Sequence, residues 1–310
     1  MGLIFRAIFV LTLCCSAFGQ SRQPTPQPGT SSPTGTGRSV EPRPNTSESI
    51  REVDAAYKEL RALEIPWTEE SRNSIVQLTR NIYRKPTREE MKVLTPSAEY
   101  YNKYAQFLRQ PETGIIKLNS NSSCAESPSV VAASENCLQY SMPGGGTAYS
   151  FRAESHRTPR LADLTLSKNV LMSDGVLQHG ILVNLGDVPL DTVTPETRGI
   201  KYLFDFKPLT TAESLVKFDE LLQKGIKADG FVYGLGFYVQ NQTTYALRSI
   251  AYKGKVARSV NGIIYNELDF DKRRDILVAF RVIELETNGN VTLIWKILSN
   301  RESPTLKSIK

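Results

Sequence analysis

Cysteine, histidine and tryptophan are scarce in this chain, and their scarcity narrows its chemistry. Its 310 residues include four cysteines, two histidines and two tryptophans. Cys14 and Cys15 fall in an apolar N-terminal run, which leaves Cys124, Cys137, His156 and His179 for everything after it. No Cys-x-x-Cys remains there, so a thioredoxin-like dithiol is excluded. The spacing of these four residues also fits no structural zinc site, and no metal or other cofactor is expected. Gly-x-Ser-x-Gly is absent, and with it the nucleophile elbow of an α/β-hydrolase. No apolar run approaches the ~20 residues of a membrane-spanning helix, so no membrane span is expected.

Charge of one sign is not concentrated either. Lys and Arg number 38 against 32 Asp and Glu, a formal net charge of +6. The densest basic run, Lys272-Arg273-Arg274, is flanked by Asp271 and Asp275 and reads as a solvated strand entry. A nucleic-acid footprint needs an uninterrupted basic stripe beside stacking aromatics, so no nucleic-acid partner is expected.

What is present begins with a leader. Arg6 precedes the apolar run Ala7 to Cys15, and Ala17-Phe18-Gly19 forms a small-x-small cleavage site, so residues 1–19 read as a secretory signal peptide. The expected product is soluble and exported, periplasmic or extracellular. In such a compartment Cys124 and Cys137 are expected to form a disulfide. Residues 20–45 are rich in Pro, Ser, Thr and Gly and read as a disordered spacer, because they hold too little apolar surface to offset the entropy of ordering.

Residues 46–113 read as a helical subdomain. Ser49 and Glu52 form a capping box, Thr68 opens a second helix, and Thr87 with Glu90 forms another box. Thr95-Pro96 then starts a helix carrying Tyr100, Tyr104, Phe107 and Leu108. Residues 114–146 hold an apolar run, the cysteine loop and the Gly144-Gly145-Gly146 turn. From 147 to 310 strands predominate: 161–166, 169–172, 176–185, 200–206, 231–240, 244–252 and 260–267 are short, apolar or alternating. One helix interrupts them, capped by Thr210 or Thr211 and carrying an apolar stripe of Leu215, Phe218, Leu221 and Leu222.

The strongest local signal is the final hairpin, joined at Asn288-Gly289, the pair favoured in a two-residue type I′ turn. That loop would set Val282 opposite Trp295, Phe280 opposite Ile297 and Arg281 opposite Lys296. One face would bury Val278, Phe280, Val282, Leu293, Trp295 and Ile297, and Leu285 would lie on the other with Ile283, Ile294 and Leu298. The expected fold class is α+β: a mostly antiparallel sheet or two packed sheets with one long helix, preceded by the helical subdomain.

Three constellations bear on chemistry. His179, Asp187 and Asp205 fall in one stretch and are the candidate acid–base set of an exported hydrolase using carboxylates, with metal assistance as an option. Phe231, Tyr233 and Phe237 share the side of one extended run and are candidates for a binding groove. Ser214-x-x-Lys217 has the spacing of penicillin-recognising enzymes, but no Lys-Thr-Gly strand follows it. With no complete catalytic signature, the leading expectation is a non-catalytic binding or structural module. Its partner would be a protein, a glycan or a second copy of the chain.

Overall fold

The computed structural model describes Arg88 and residues 94–120, 130–132, 141–173, 175–260 and 263–307. The expected signal peptide, spacer, first helices and both cysteines of the expected disulfide lie outside these residues. Runs of β-branched and aromatic residues between Gly- and Asn-bearing turns form two antiparallel sheets. The larger runs in the order β1 (Thr113–Leu118), β16 (Val291–Glu302), β15 (Arg274–Leu285), β12 (Thr244–Ala251), β8 (Gln178–Gly186), β10 (Phe231–Gly234) and β9 (Ile226–Ala228). The smaller runs β11 (Gly236–Tyr238), β7 (Val170–Met172), β6 (Leu164–Ser167), β4 (Ala148–Ser150) and β5 (Ser155–His156). Two separate ladders join β2 (Val130–Ala132) to β3 (Ser141–Pro143) and β13 (Ala257–Val260) to β14 (Ile263–Asn266).

Period-two alternation makes the larger sheet apolar on both sides, and each side has its own cover. Val278, Phe280, Val282, Leu293 and Trp295 meet Tyr149, Leu164, Leu166, Leu171 and Phe237 of the smaller sheet in one core. Ile181, Val183, Ala246, Leu277, Ala279 and Ile294 instead face Phe107, Ile200, Leu203 and Leu222 from the helices. Those helices are α1 (Ala98–Lys103), α2 (Ala105–Leu108), α3 (Ile200–Asp205) and α4 (Ala212–Lys224). The described architecture is therefore mixed, mostly antiparallel sheet with few helices, and two packed sheets rather than one.

Several expectations need correction. The helix expected to be long is α4, whose 13 residues span about 20 Å, an ordinary length. Thr211 caps it, its Oγ1 accepting from the Ser214 backbone N–H at 3.2 Å, and Leu221 points to solvent instead of joining the stripe. Of residues 200–206, expected as a strand, Ile200–Asp205 form α3 and Phe206 caps its C-terminus. That run is too short for periodicity to separate the two states. Gly199, at φ 82, turns the chain so that the N–H groups of Ile200 and Lys201 donate to the Thr197 carbonyl, and Ile200 and Leu203, three apart, turn inward together.

The run 231–240 also divides. At Leu235 the chain leaves the larger sheet, where Tyr233 pairs with Val183, and enters the smaller, where Phe237 pairs with Leu171.

The final hairpin forms with the expected buried face but a different loop. The Gly289 N–H donates to the Glu286 carbonyl and the Glu286 N–H to the Asn290 carbonyl, both at 2.9 Å. Of the loop residues only Gly289 has positive φ, at 86°, whereas a type I′ turn would require Asn288 there as well. The connection is a three-residue loop, Thr287-Asn288-Gly289.

That extra residue shifts the ladder by one, and a bulge between Val282 and Glu284 shifts it again. Phe280 thus faces Trp295 and Val282 faces Leu293. One shift would have exchanged core and surface faces; two in the same sense restore them. The bulge also turns Leu285 to the sandwich core, and Arg281 meets Ile294 instead of Lys296.

Candidate functional site

The residues proposed for acid–base chemistry are not brought together. His179 lies on the helix-facing side of β8 and is 1% exposed. Asp187, in the turn after β8, is exposed and accepts from Arg281 Nη2 at 2.6 Å. Asp205 ends α3, where it is also exposed and accepts from Lys201 Nζ at 2.5 Å, one helical turn back. Each candidate has a partner of its own.

The partner of His179 is Asp219, which the sequence reading passed over. Asp219 sits on α4 between Leu215 and Leu222, the two residues that bury this helix, and so it is carried into the interior with them. A carboxylate inside an apolar helical stripe was the available signal. His179 Nε2 lies 3.2 Å from Asp219 Oδ1, but neither side chain makes an aligned hydrogen bond to another described residue. Phe206 and Phe218 close the niche, their ring centroids 5.9 and 5.3 Å from the imidazole. The arrangement suits a packing pair that seats α4 on the sheet. A general base would instead need a route to substrate.

The other buried charges form a larger network, also missed. Arg152, 3% exposed, uses all five guanidinium N–H groups. Nη1 donates to Asp163 and, at 2.8 Å, to Gln178 Oε1. Nη2 donates to Asp271 Oδ2 at 2.8 Å and to the Leu161 carbonyl at 3.3 Å, and Nε donates to Asp271 Oδ1 at 3.3 Å. Asp163 also accepts from Ser249 Oγ at 2.5 Å, from Ser150 Oγ at 3.2 Å and from the Arg152 backbone N–H.

Arg273 completes the set, donating to Asp271 at 2.7 Å and to the carbonyls of Tyr252, Val176 and Leu177. The solvated-entry reading of 272–274 therefore fails at Arg273, which turns inward to cap loop carbonyls. Burial works to lower the Arg152 pKa, but Asp163 and Asp271 raise it on balance. Arg273 is pushed down to about 10 by burial and by the neighbouring Arg152 charge. Burial favours the neutral form of Asp271, yet the two guanidinium groups hold its carboxyl below the usual range.

A second buried pair anchors α3. Arg248 donates to Asp275 through Nε at 2.6 Å and Nη2 at 2.7 Å, and its Nη1 reaches the carbonyls of Leu203 and Phe204 near the helix C-terminus. Among the described residues, no group of three or more His, Cys, Asp or Glu side chains could hold a metal ion.

The candidate groove residues are likewise divided between cores. Phe237 lies in the sandwich interior at 2% exposure. Tyr233 lies under the helices, its hydroxyl donating to the Gly199 carbonyl at 3.1 Å and its ring 4.2 Å from that of Tyr202. Phe231 is half-buried at the rim, with the Arg198 guanidinium 5.8 Å from its centroid. Tyr238, which the candidate groove omitted, is the half-exposed aromatic of this run, at the edge of the smaller sheet. Ser214 Oγ donates to the Thr211 carbonyl at 2.8 Å and Lys217 pairs with Glu213, so both partners of the Ser-x-x-Lys spacing serve the helix itself. No helix among the described residues is long and apolar enough to cross a membrane. In comparisons with known proteins, no family model, curated protein or solved structure matches this chain.

Proposed function

We propose that this chain is an exported, non-catalytic binding or structural module that takes a protein or glycan partner on its surface. The observation that supports it is the commitment of its reactive groups. His179 is sealed against Asp219 beneath α4, whereas Asp187 and Asp205 occupy separate surface ion pairs. The hydrogen-bonded buried charges, Arg152 with Asp163 and Asp271 and Arg248 with Asp275, serve to fix the two sheets and the helices against one another. What the fold offers outside is a stable surface, the use to which a binding module puts such a frame.

Thermal melts of the full chain with oligosaccharides, cell-wall fragments, nucleotides and divalent metals test the reading. A ligand bound only by the folded state, at about a hundred times its dissociation constant, stabilises by about 2.7 kcal/mol. The expected shift comes with an oligomeric glycan or with a protein partner. A metal-dependent shift that disappears in His179→Ala, accompanied by turnover of an ester, amide or glycoside, would overturn it in favour of a hydrolase.

A further inference from the structure

We propose that Asn288-Gly289 is a site of spontaneous covalent modification, deamidation of Asn288, and that the folded hairpin loop controls its rate. The chemistry needs no enzyme and no reagent but water. The Gly289 backbone nitrogen attacks Asn288 Cγ; as the N–Cγ bond forms, the Cγ–Nδ2 bond breaks. Nδ2 leaves as ammonia, taking up the proton that the amide nitrogen gives to solvent, and a succinimide ring remains. Water then opens the ring at either carbonyl to give aspartate or isoaspartate, with no change of oxidation state. Glycine favours the attack because it has no Cβ to crowd the nitrogen.

Asn288 is exposed at the loop tip, so water reaches it freely. Both reacting groups are nevertheless engaged in hydrogen bonds of the loop. The Gly289 N–H is engaged with the Glu286 carbonyl at 2.9 Å, and Asn288 Oδ1 accepts the Asn290 N–H at 2.9 Å, which restrains rotation of the side-chain amide. A residue far away in sequence tightens the arrangement. Ser120 Oγ donates to the Asn288 carbonyl at 2.6 Å, while the Ser120 N–H donates to Asn290 Oδ1 at 3.0 Å. Succinimide formation must therefore wait for a local opening that breaks these bonds. The isoaspartate product lengthens the backbone by one methylene inside the loop, so the bonds from Gly289 and Asn290 cannot re-form in register. A chain that has spent time unfolded is thereby marked at the turn that sets the pairing of β15 with β16.

The test follows isoaspartate at position 288 by peptide mapping of the full chain, incubated at mildly alkaline pH with and without urea. The expected result is rapid conversion in urea, conversion at least tenfold slower in the folded protein, and a severalfold faster folded-state rate in Ser120→Ala. That variant should match the parent rate in urea, which separates loss of the anchor from any change in intrinsic reactivity. Equal rates with and without urea would overturn control by the loop, and no conversion in urea would overturn the site itself. An unchanged folded-state rate in Ser120→Ala would remove Ser120 from the control.

Discussion

Replacing Arg152 by methionine removes the cation that hydrogen-bonds to both Asp163 and Asp271. Asp271 keeps Arg273 at 2.7 Å, but Asp163, 0% exposed, is left with two hydroxyls and a backbone N–H. Gln178 Oε1 and the Leu161 carbonyl each lose this donor as well. Breaking a buried ion pair from one side costs about 3–5 kcal/mol, because the remaining charge stays out of water. In a domain of this size each kcal/mol moves Tm by roughly 2–4 °C, so a fall of about 6–20 °C is expected. Urea unfolding at neutral pH, followed by tryptophan fluorescence, measures the loss directly.

The double variant Arg152→Met/Asp163→Asn adds a second reading of the same pair. The asparagine carries no charge; with its carbonyl oxygen in the place of Oδ2 it still accepts from Ser150 Oγ and the residue-152 N–H, and its amide in the place of Oδ1 meets the Ser249 hydroxyl, so the double should recover about 1 kcal/mol or more relative to the single. A single-variant cost below about 1 kcal/mol would show Arg152 to be solvated. A double that is additively worse would show Asp163 to be uncoupled from it. Either result would refute the network as the element that fixes this end of the sandwich.

Acid should destabilise the fold in a window set by His156. Burial opposes its charge, only partly countered by the Ala148 carbonyl 3.1 Å from Nδ1, and holds its pKa down at about 4 against an ordinary 6.5. Above the ordinary value both states are neutral; as pH falls through it the unfolded chain takes up a proton that the folded chain refuses. Stability should thus drop by about 3 kcal/mol towards pH 4 and level off, and His156→Gln should flatten that part of a pH series of urea midpoints.

Gly114→Ala would place a Cβ 2.5 Å from Trp295 Cζ2 and should cost about 1–3 kcal/mol, with a changed tryptophan emission; an unchanged midpoint would refute that contact. His179→Leu with Asp219→Leu replaces an unaligned buried pair by apolar contacts and should stabilise by about 1–4 kcal/mol, whereas Asp219→Leu alone strands the imidazole and should not. A double variant less stable than the parent in urea would show the pair to be better satisfied than its geometry implies.

Sheet residues were legible where period-two alternation and burial agree. Val278, Phe280 and Val282, with Leu293 and Trp295, were assigned to one face from spacing alone and lie together in the sandwich core. Register was not legible, because Asn-Gly suits two loops of different length. What selects the three-residue loop involves Ser120, whose bonds to Asn288 and Asn290 cross 168 and 170 positions of sequence. The bulge at Ile283 is equally silent in composition, yet it reverses the side taken by Leu285. Residues 200–206 failed for a related reason. A seven-residue run with five apolar or aromatic residues fits strand and helix alike, and the helix is decided by Gly199 and by a place on the sheet that only the assembled fold provides.

The polar interior was written in the sequence in a form that motif searching overlooks. Asp163 follows Leu161-Ala162 and Arg248 interrupts Tyr245 to Ile250, each a charge inside a largely apolar run, and Asp219 is a charge on the buried stripe of α4 between Leu215 and Leu222. Such a charge must find an opposite one, since an isolated ion carries a prohibitive desolvation cost in the interior. The presence of partners is therefore predictable from local pattern, but their identity is not. Asp163 finds Arg152 across eleven positions and Arg248 finds Asp275 across 27, distances set by strand order. Searching instead for residues that resemble a catalytic set selected Asp187 and Asp205, whose exposed turn and helix-end positions need no buried partner. Charges set among apolar residues were the better guide to the polar residues that organise this fold, and they lead to its frame.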